Sequence, residues 1–473
     1  MRRLLSRSFH SLNAAAALLV LAVTHSALAQ TDGFDPNVNH YNGSSYQLVN
    51  DTANGFTVEY HKWYKLLHNH IKGETYALVC CGQPTTNFTG YNLVVNTPVT
   101  NVGVANAPSV LPFMELLGLS DTVKSIQGYQ NVTSTCYGNV TDSPGNNTVD
   151  IVFNDQSNVN LAGSNYVGFS PDSIQLTPLQ QASWLVYVAH FFDKESEATT
   201  AYANIANTYN CHKSNLASLT DKKNVAFTSY DAAAKTWTLL RDPFYASLAQ
   251  DAGSTLVEPN KAQDSSYMQL NEFHTAISYA DYVVDMTSLD NLGNQTYDSW
   301  LNLGGFIDGM DVFDEPFVTN KNVFRFDGLV NGNGYSDFPE RSPARPDLAL
   351  RDIISMIEPT YDANYTYTWL RNFAKSDVPR QISQVSYQCD AQSIFQQTQC
   401  TSNPFGKTES TPNTNEGSNS SSHGLSSGGK AGVSVGVIVG VLGAGILAFF
   451  LYRRYQMNKN VPKRPFYRMN DIH

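Results

Sequence analysis

The chain has 473 residues and a formal charge of −11 at neutral pH. So acidic a chain offers no basic face for nucleic acid, which is excluded as a partner. The length exceeds one core of typical size, so the folded part is expected to form two lobes.

At the N-terminus Arg2, Arg3 and Arg7 precede an apolar run from Ala14 to Val23, and Ala27-Leu28-Ala29 supplies the small-x-small pattern of a processing site. A cleaved signal peptide over residues 1–29 is predicted, with 30–55 an N-terminal extension of the mature chain. Beyond it, short apolar runs at 76–80, 100–104, 150–153, 224–229, 255–258, 282–286 and 323–327 read as strands. Helical stretches fall between them at 109–117, 178–192, 194–218, 243–252 and 347–357. The alternation predicts an α/β fold with largely parallel sheets: a first lobe over 56–193 and a second lobe with a C-terminal extension over 219–400. The 25-residue stretch 194–218 would join them as one rigid helix, its stripe Ala198, Tyr202, Ile205 and Tyr209 packed against a lobe.

Residues 401–430 are rich in Ser, Thr, Asn and Gly, as in a solvated stalk. Then come 22 uncharged residues, Ala431 through Tyr452, long enough to cross a hydrocarbon core. The tail 453–473 carries Arg453, Arg454, Lys459, Lys463, Arg464 and Arg468 against Asp471, which places the C-terminus in the cytoplasm and the body outside. A removed GPI signal would end in the apolar run itself, so a lasting plasma-membrane anchor is the better reading. Gly432, Gly436 and Gly440 offer a face for dimerisation within the span.

Nine N-x-S/T sequons lie on the outer side, at Asn42, Asn50, Asn87, Asn131, Asn139, Asn146, Asn294, Asn364 and Asn419. All six cysteines lie there too, where disulfides form. Proximity singles out only Cys389 with Cys400, and fifteen pairings are open in principle. Cys80 and Cys81 lack the spacer of a zinc knuckle. Without the three N-terminal arginines, Lys430 and the tail's net +5, residues 30–429 carry −20.

Three stretches bear a family likeness. Val99 to Gly128 reads strand, the loop Ala105-Asn106-Ala107-Pro108, then a helix ending Glu115-Leu116-Leu117-Gly118-Leu119. Phe191-Phe192-Asp193-Lys194-Glu195 opens the long helix, and Asn224-Val225-Ala226-Phe227 follows it. Asn322-Val323-Phe324-Arg325-Phe326-Asp327-Gly328 leads to Arg345-Pro346-Asp347-Leu348. In order and spacing the chain resembles the class III substrate-binding proteins, which capture iron-siderophore, haem, cobalamin or metal for ABC importers. The resemblance implies two lobes closing over a small ligand, without catalysis. Sequons, stalk and span depart from the bacterial pattern, so the resemblance is to a eukaryotic, membrane-tethered relative, with no importer partner evident in this chain.

In such a fold ligands meet the loops at the carboxyl ends of strands. That rule points to Asn106 and Tyr129 in the first lobe, and to Tyr230, Asp231, Tyr335, Arg341 and Arg345 in the second. An aromatic ring with two fixed cations suits an anionic or carboxylate-bearing ligand. The plainer alternative pairs Arg341 and Arg345 with Glu340 and Asp347. His61, His68 and His70 form the densest imidazole group, but residues 69–74 read as a polar turn and no carboxylate partner is specified. Asp251-Ala252-Gly253 resembles a protease signature only locally: the Asp closes a helix and no second copy exists. Gly334-Tyr335-Ser336-Asp337-Phe338 lacks the second glycine of a nucleophile elbow, and nucleotide-binding fingerprints are absent. No cofactor is specified. The expectation is a non-enzymatic surface receptor for a small ligand, the alternative an adhesion glycoprotein with a degenerate cleft.

Truncation after Gly429 is expected to release a soluble, glycosylated protein into the medium, and recovery of that product in washed membranes would overturn the anchor assignment. Gly440→Asp in the full chain should impair insertion by about 3 kcal/mol on insertion scales, read as an increased secreted fraction.

Overall fold

The computed structural model describes residues 34–41, 51–144, 149–155, 165–259, 266–292, 295–307, 314–384, 389 and 400–406. The segments expected to be signal peptide, anchor and tail, most of the expected stalk, and the sequons Asn42, Asn50, Asn146, Asn294 and Asn419 lie outside these residues. Among the described residues no helix is long and apolar enough to cross a membrane.

The first lobe contains two sheets, and the first of them corrects the expectation of largely parallel sheets. β1 (Phe56–Tyr60), β2 (Tyr64–Asn69), β3 (Glu74–Val79) and β4 (Leu93–Asn96) lie in that order, antiparallel except for the last pair. The turn between β2 and β3 passes through Gly73 at φ +69, a left-handed conformation that glycine adopts without strain. Residues 69–74 are thus the polar turn that their composition indicates. A wholly parallel sheet follows, β5 (Val102–Ala105), β6 (Val123–Ile126), β7 (Ile151–Asn154) and β8 (Tyr166–Gly168), ordered β6-β5-β7-β8. β5 and β7 are buried along their whole length, as parallel strands covered by helices must be. A Cβ on Gly103 would meet the carbonyl of Pro144 at 2.7 Å, so only glycine fits the middle of β5. The helices α1 (Leu111–Leu116) and α2 (Trp184–Ala189) cover this sheet, and Phe56, Phe153, Phe169, Trp184 and Tyr187 fill the core between them.

The second lobe is a seven-stranded mixed sheet. β9 (Asn224–Asp231), β11 (Thr255–Leu256), β13 (Tyr282–Asp285) and β14 (Val323–Arg325) are parallel, β10 (Thr236–Leu239) and β16 (Arg371–Asn372) run antiparallel to them, and β12 (Ser266–Tyr267) pairs antiparallel with β10 at the margin. β15 (Leu329–Val330) and β17 (Arg380–Gln381) form a small separate pair. The parallel core matches the expected α/β class. The hairpin β9–β10 does not, because Asp231 turns the chain locally: its carboxylate accepts the backbone N–H of Ala233 and Ala234 at 2.8 and 3.0 Å.

Between the lobes runs α3 (Glu195–Leu216), 22 residues long. Its acidic first turn and Lys213 in the last suit the helix dipole. Ala198, Ala201 and Ile205 are buried in the first lobe's core, and Tyr209 and Leu216 in the second lobe's. Tyr202 is partly buried and packs against the first core, as expected, and Ala201 joins the inward stripe. Asp251 fastens the helix from outside, accepting the Tyr209 hydroxyl at 2.9 Å and pairing with Lys213 at 2.8 Å.

The disulfide expectation is corrected. Cys389 is bonded to Cys136 and Cys400 to Cys211, with Cα separations of 5.7 and 6.0 Å, and not to each other. The two residues serve different anchorages. Cys389 meets the first lobe beyond β6, whereas Cys400 lies on the last turns of α3, where the Asn215 amide donates to Thr401 O at 2.9 Å. Closing loops of 253 and 189 residues limits the unfolded chain by roughly 5 kcal/mol each on chain-entropy grounds.

Since Ile205 has only 1% of its surface exposed, Ile205→Ala should lower stability by about 2–5 kcal/mol. Asn204→Ala, on the exposed side of the same turn, should change it by less than about 0.5 kcal/mol. Urea denaturation of the two variants measures the difference, and equal effects would show that α3 is not embedded in the cores.

Candidate functional site

The residues at the strand ends do different work from one another. Asn106 directly follows β5, exposed, at φ +57. Tyr129 opens a single turn after β6, with its ring partly buried against the first core. Tyr230 lies within β9, its ring 5.0 Å from that of Trp237, and Asp231 caps the hairpin. Arg345 is buried and donates twice to Asp347, at 2.9 and 2.8 Å. Arg341 pairs with Asp337 at 3.2 Å, one helical turn back, rather than with Glu340. Both guanidinium groups thus serve carboxylates of their own segment. Of the seven residues, Tyr335 is the one that lines a cavity of about 480 Å³ in the second lobe.

The loop after β15 reaches across to the first lobe. The Asn331 amide donates to Gln130 O at 3.1 Å and Val132 O at 3.0 Å, and Asn333 donates to Gln130 O at 2.9 Å. The backbone N–H groups of Thr133 and Ser134 donate to Glu340 at 2.8 and 3.1 Å, and the Thr133 hydroxyl to Asp337 at 2.7 Å. Trp369 Nε1 donates to the other oxygen of Asp337 at 2.8 Å. The lobes are therefore in direct polar contact where Tyr129 and Arg341 were expected to face one ligand. Burial, reinforced by the charge of Asp337, pushes the Glu340 carboxyl up to about 8.

Beside this contact a cavity of about 480 Å³ opens at the carboxyl ends of β13 and β14. Asp285, Thr287, Arg325 and Asp327 form its inner wall, and Asn333 to Ser336 bound it from the loop. The wall is cross-linked. Arg325 donates to Asp285, to Asp327 at 2.8 Å and to Thr287 O at 2.6 Å, and Arg371 donates to Asp327 from behind at 3.0 Å. Thr287 and Thr228 hydroxyls donate to Asp285 at 2.6 and 3.2 Å. Burial pushes the Asp285 carboxyl above its ordinary range despite Arg325. Burial acts on Asp327 as well, but Arg371 and Arg325 outweigh it and hold that carboxyl below its ordinary range. Sequence reasoning passed over this network, although a charge closing each apolar strand, Val-Val-Asp and Val-Phe-Arg, was its visible sign.

Two of the three histidines share a carboxylate that the sequence did not specify: Glu59 lies 4.0 Å from His61 and 3.5 Å from His68. His68 and His70 stack at 6.2 Å, and their ring nitrogens meet Thr75 at 3.1 Å and Thr57 at 2.8 Å. Asp251 sits at the end of its helix, with Gly253 at φ +82 behind it. Asn131, Asn139 and Asn364 are exposed, and Asn87 ends a short turn.

No family model matches the chain, and no curated protein matches it. Solved structures that are similar include a periplasmic binding protein from Veillonella parvula, with a TM-score of 0.41 and 13% identity over 55% of this chain and 91% of that one. The periplasmic heme-binding protein HutB of Vibrio cholerae gives 0.41 and 14% over 55% and 100%. The petrobactin-binding protein YclQ of Bacillus subtilis gives 0.40 and 16% over 56% and 93%. At that distance they carry no argument about what this chain binds.

Between pH 4.5 and about 8 the folded protein keeps a proton on Glu340 that the unfolded chain has lost. Stability should therefore fall as pH rises through that window. Glu340→Gln should flatten the fall, whatever it does to stability at one pH. Denaturation midpoints between pH 5 and 9 provide the check, and identical slopes in the two proteins would remove Glu340 as the cause.

Proposed function

We propose that this chain is a membrane-anchored, glycosylated surface protein whose body binds one small polar ligand without altering it chemically. The observation that carries the reading is the 480 Å³ cavity at the carboxyl ends of β13 and β14. Its size suits a small molecule and its place is the one open α/β sheets use for ligands. The wall supports binding rather than catalysis, since both inner carboxylates are tied to guanidinium groups. Among the described residues Asp285, Asp290 and Asp327 line the cavity with Arg325, Arg371 answers Asp327 from outside the lining, and Arg341 and Arg345 serve other carboxylates, which leaves one acid in excess. That balance favours a neutral or cationic ligand, such as a metal chelate of that charge, over the anionic one that the sequence had indicated. Tyr335, with 47% of its surface exposed, supplies an aromatic face at the mouth.

The second reading, an adhesion protein with a degenerate cleft, draws on one observation: Asn331, Asp337 and Glu340 bond directly to Gln130 to Ser134 across the lobes.

Calorimetry on the secreted body, residues 30–429, with ferric siderophores of differing charge, haem and cobalamin separates the two. One-to-one binding, weakened about tenfold or more by Tyr335→Ala but little by Arg341→Lys, is expected of the cavity. Binding sensitive to Arg341→Lys and indifferent to Tyr335→Ala would move the ligand to the lobe contact. Absence of binding across the panel by a folded protein would leave the adhesion reading.

A further inference from the structure

In the first lobe, the end of β3 carries a second group of chemically active side chains, none of which lines that cavity. Cys80 and Cys81 are bonded to each other, at a sequence separation of one. A bond between neighbours closes no loop of chain, so it contributes little of the constraint that the two long-range disulfides supply. Cys80 is buried and Cys81 exposed. The ring of His40, brought from forty residues upstream, places a nitrogen so that it and the two sulfurs all lie within 4.8 Å of one another. His40 is exposed but held: its backbone N–H donates to Lys62 O at 2.7 Å, and its ring stacks on Phe34 at 5.6 Å and 6°. Phe34 meets Trp63 edge-on at 5.9 Å, Trp63 meets Phe88 at 5.6 Å, and the carbonyl of Trp63 accepts the Cys80 N–H at 3.0 Å.

We propose that Cys80, Cys81 and His40 form a redox-gated site for one cuprous ion, shut while the cysteines are joined and opened when a dithiol reduces them. Two thiolates and an imidazole make a soft, three-coordinate donor set. Cuprous copper accepts such a set, whereas structural zinc takes four protein ligands and finds three here among the described residues. The aromatic rim of Phe34, Trp63 and Phe88 adds a partly apolar surround. In the opening step a thiolate of the dithiol attacks the exposed Cys81 sulfur, and the Cys80 sulfur leaves as thiolate. The second thiol of the reductant then attacks its own sulfur in the mixed disulfide, and the Cys81 sulfur leaves in turn. The reductant ends as a cyclic disulfide, two electrons have passed to the cysteine pair, and the reductant's two thiol protons reside on the cysteine sulfurs. Binding of Cu(I) to both sulfurs releases those two protons to solvent.

The test uses the full glycosylated chain under anaerobic conditions, with Cu(I) presented as its bicinchoninate complex. Before reduction the chain should take no copper from the chromophore. After one equivalent of dithiothreitol, alkylation and peptide mass spectrometry should find Cys80 and Cys81 labelled, with Cys136–Cys389 and Cys211–Cys400 intact. That chain should then take up one Cu(I). His40→Ala, which leaves the cysteine pair untouched, should weaken retention about tenfold or more, and the double change Cys80→Ser with Cys81→Ser should abolish it. The proposal is overturned if the reduced pair takes no copper, if His40→Ala retains it as well as the parent, or if dithiothreitol opens one of the long-range disulfides first.

Discussion

A lysine with none of its surface exposed must have its charge answered inside the protein, and Lys65 is such a residue. Its ammonium donates to Glu195 at 2.6 Å, Asp193 at 2.7 Å and His190 O at 2.8 Å, and His190 Nδ1 lies 3.1 Å from the same oxygen of Glu195. β2 brings the lysine, and the first turn of α3 brings Glu195. The pair therefore sets where the long helix leaves the first lobe and at what angle. Burial alone would raise the Glu195 carboxyl, but His190 and Lys65 hold it down to about 2. Burial in turn lowers His190 from its ordinary range, so the imidazole stays neutral near pH 7. A buried ion pair of this kind adds little net stability over an apolar substitute, while removing one partner costs about 3–5 kcal/mol. Its use is to make a single arrangement of helix and sheet acceptable.

From that fixed start α3 passes out of one core and into the other, and the contacts at its far end follow. Tyr209 reaches Asp251, Cys211 holds Cys400, and Asn215 accepts the Asn403 N–H at 2.8 Å. The second lobe thus stands at one orientation to the first, and the loop from Asn331 to Arg341 meets residues 130–134 squarely enough for Glu340 to accept two backbone N–H groups. The cavity lies immediately beside this clamp and shares its loop, so the ordering of Tyr335 depends on the lobe contact.

Two buried carboxylates of the second lobe, Asp327 and Glu340, show how partner rather than residue type decides charge. Asp327 sits between two guanidinium groups and is held below its ordinary range. Glu340 has backbone donors, but Asp337 stands nearby and burial dominates, so its carboxyl is raised. The wall of the cavity is therefore charged and rigid at neutral pH, while the lobe contact holds an acid that titrates within the physiological range.

Periodicity was enough for the local structure, since an apolar run or a 3.6-residue stripe is a property of neighbours in the chain. The seven strand positions from 76 to 327 all carry strands, and residues 194–218 contain α3. Gly73 and Gly253 mark the turns they should. β8 and β16, of three and two residues, are too short to carry a period and form because partners in the sheet offer them hydrogen bonds, whereas β1 does alternate, with Phe56 and Val58 buried, and was legible but passed over. The site was less legible for the same reason. That Asp285 and Arg325 would meet depends on β13 lying beside β14, 40 residues apart, and that Cys389 would choose Cys136 depends on the return path of the chain. Arg341 and Arg345 carry a cation's signature in any sequence, and only their neighbours in space show that Asp337 and Asp347 answer it. Composition and spacing by themselves determined the α/β class, the two strand groups and the helix between them, because those follow from local backbone preference and the period of burial. Which charges meet, which cysteines pair and where the cavity opens were decided by tertiary structure alone, since each depends on residues brought together from distant parts of the chain.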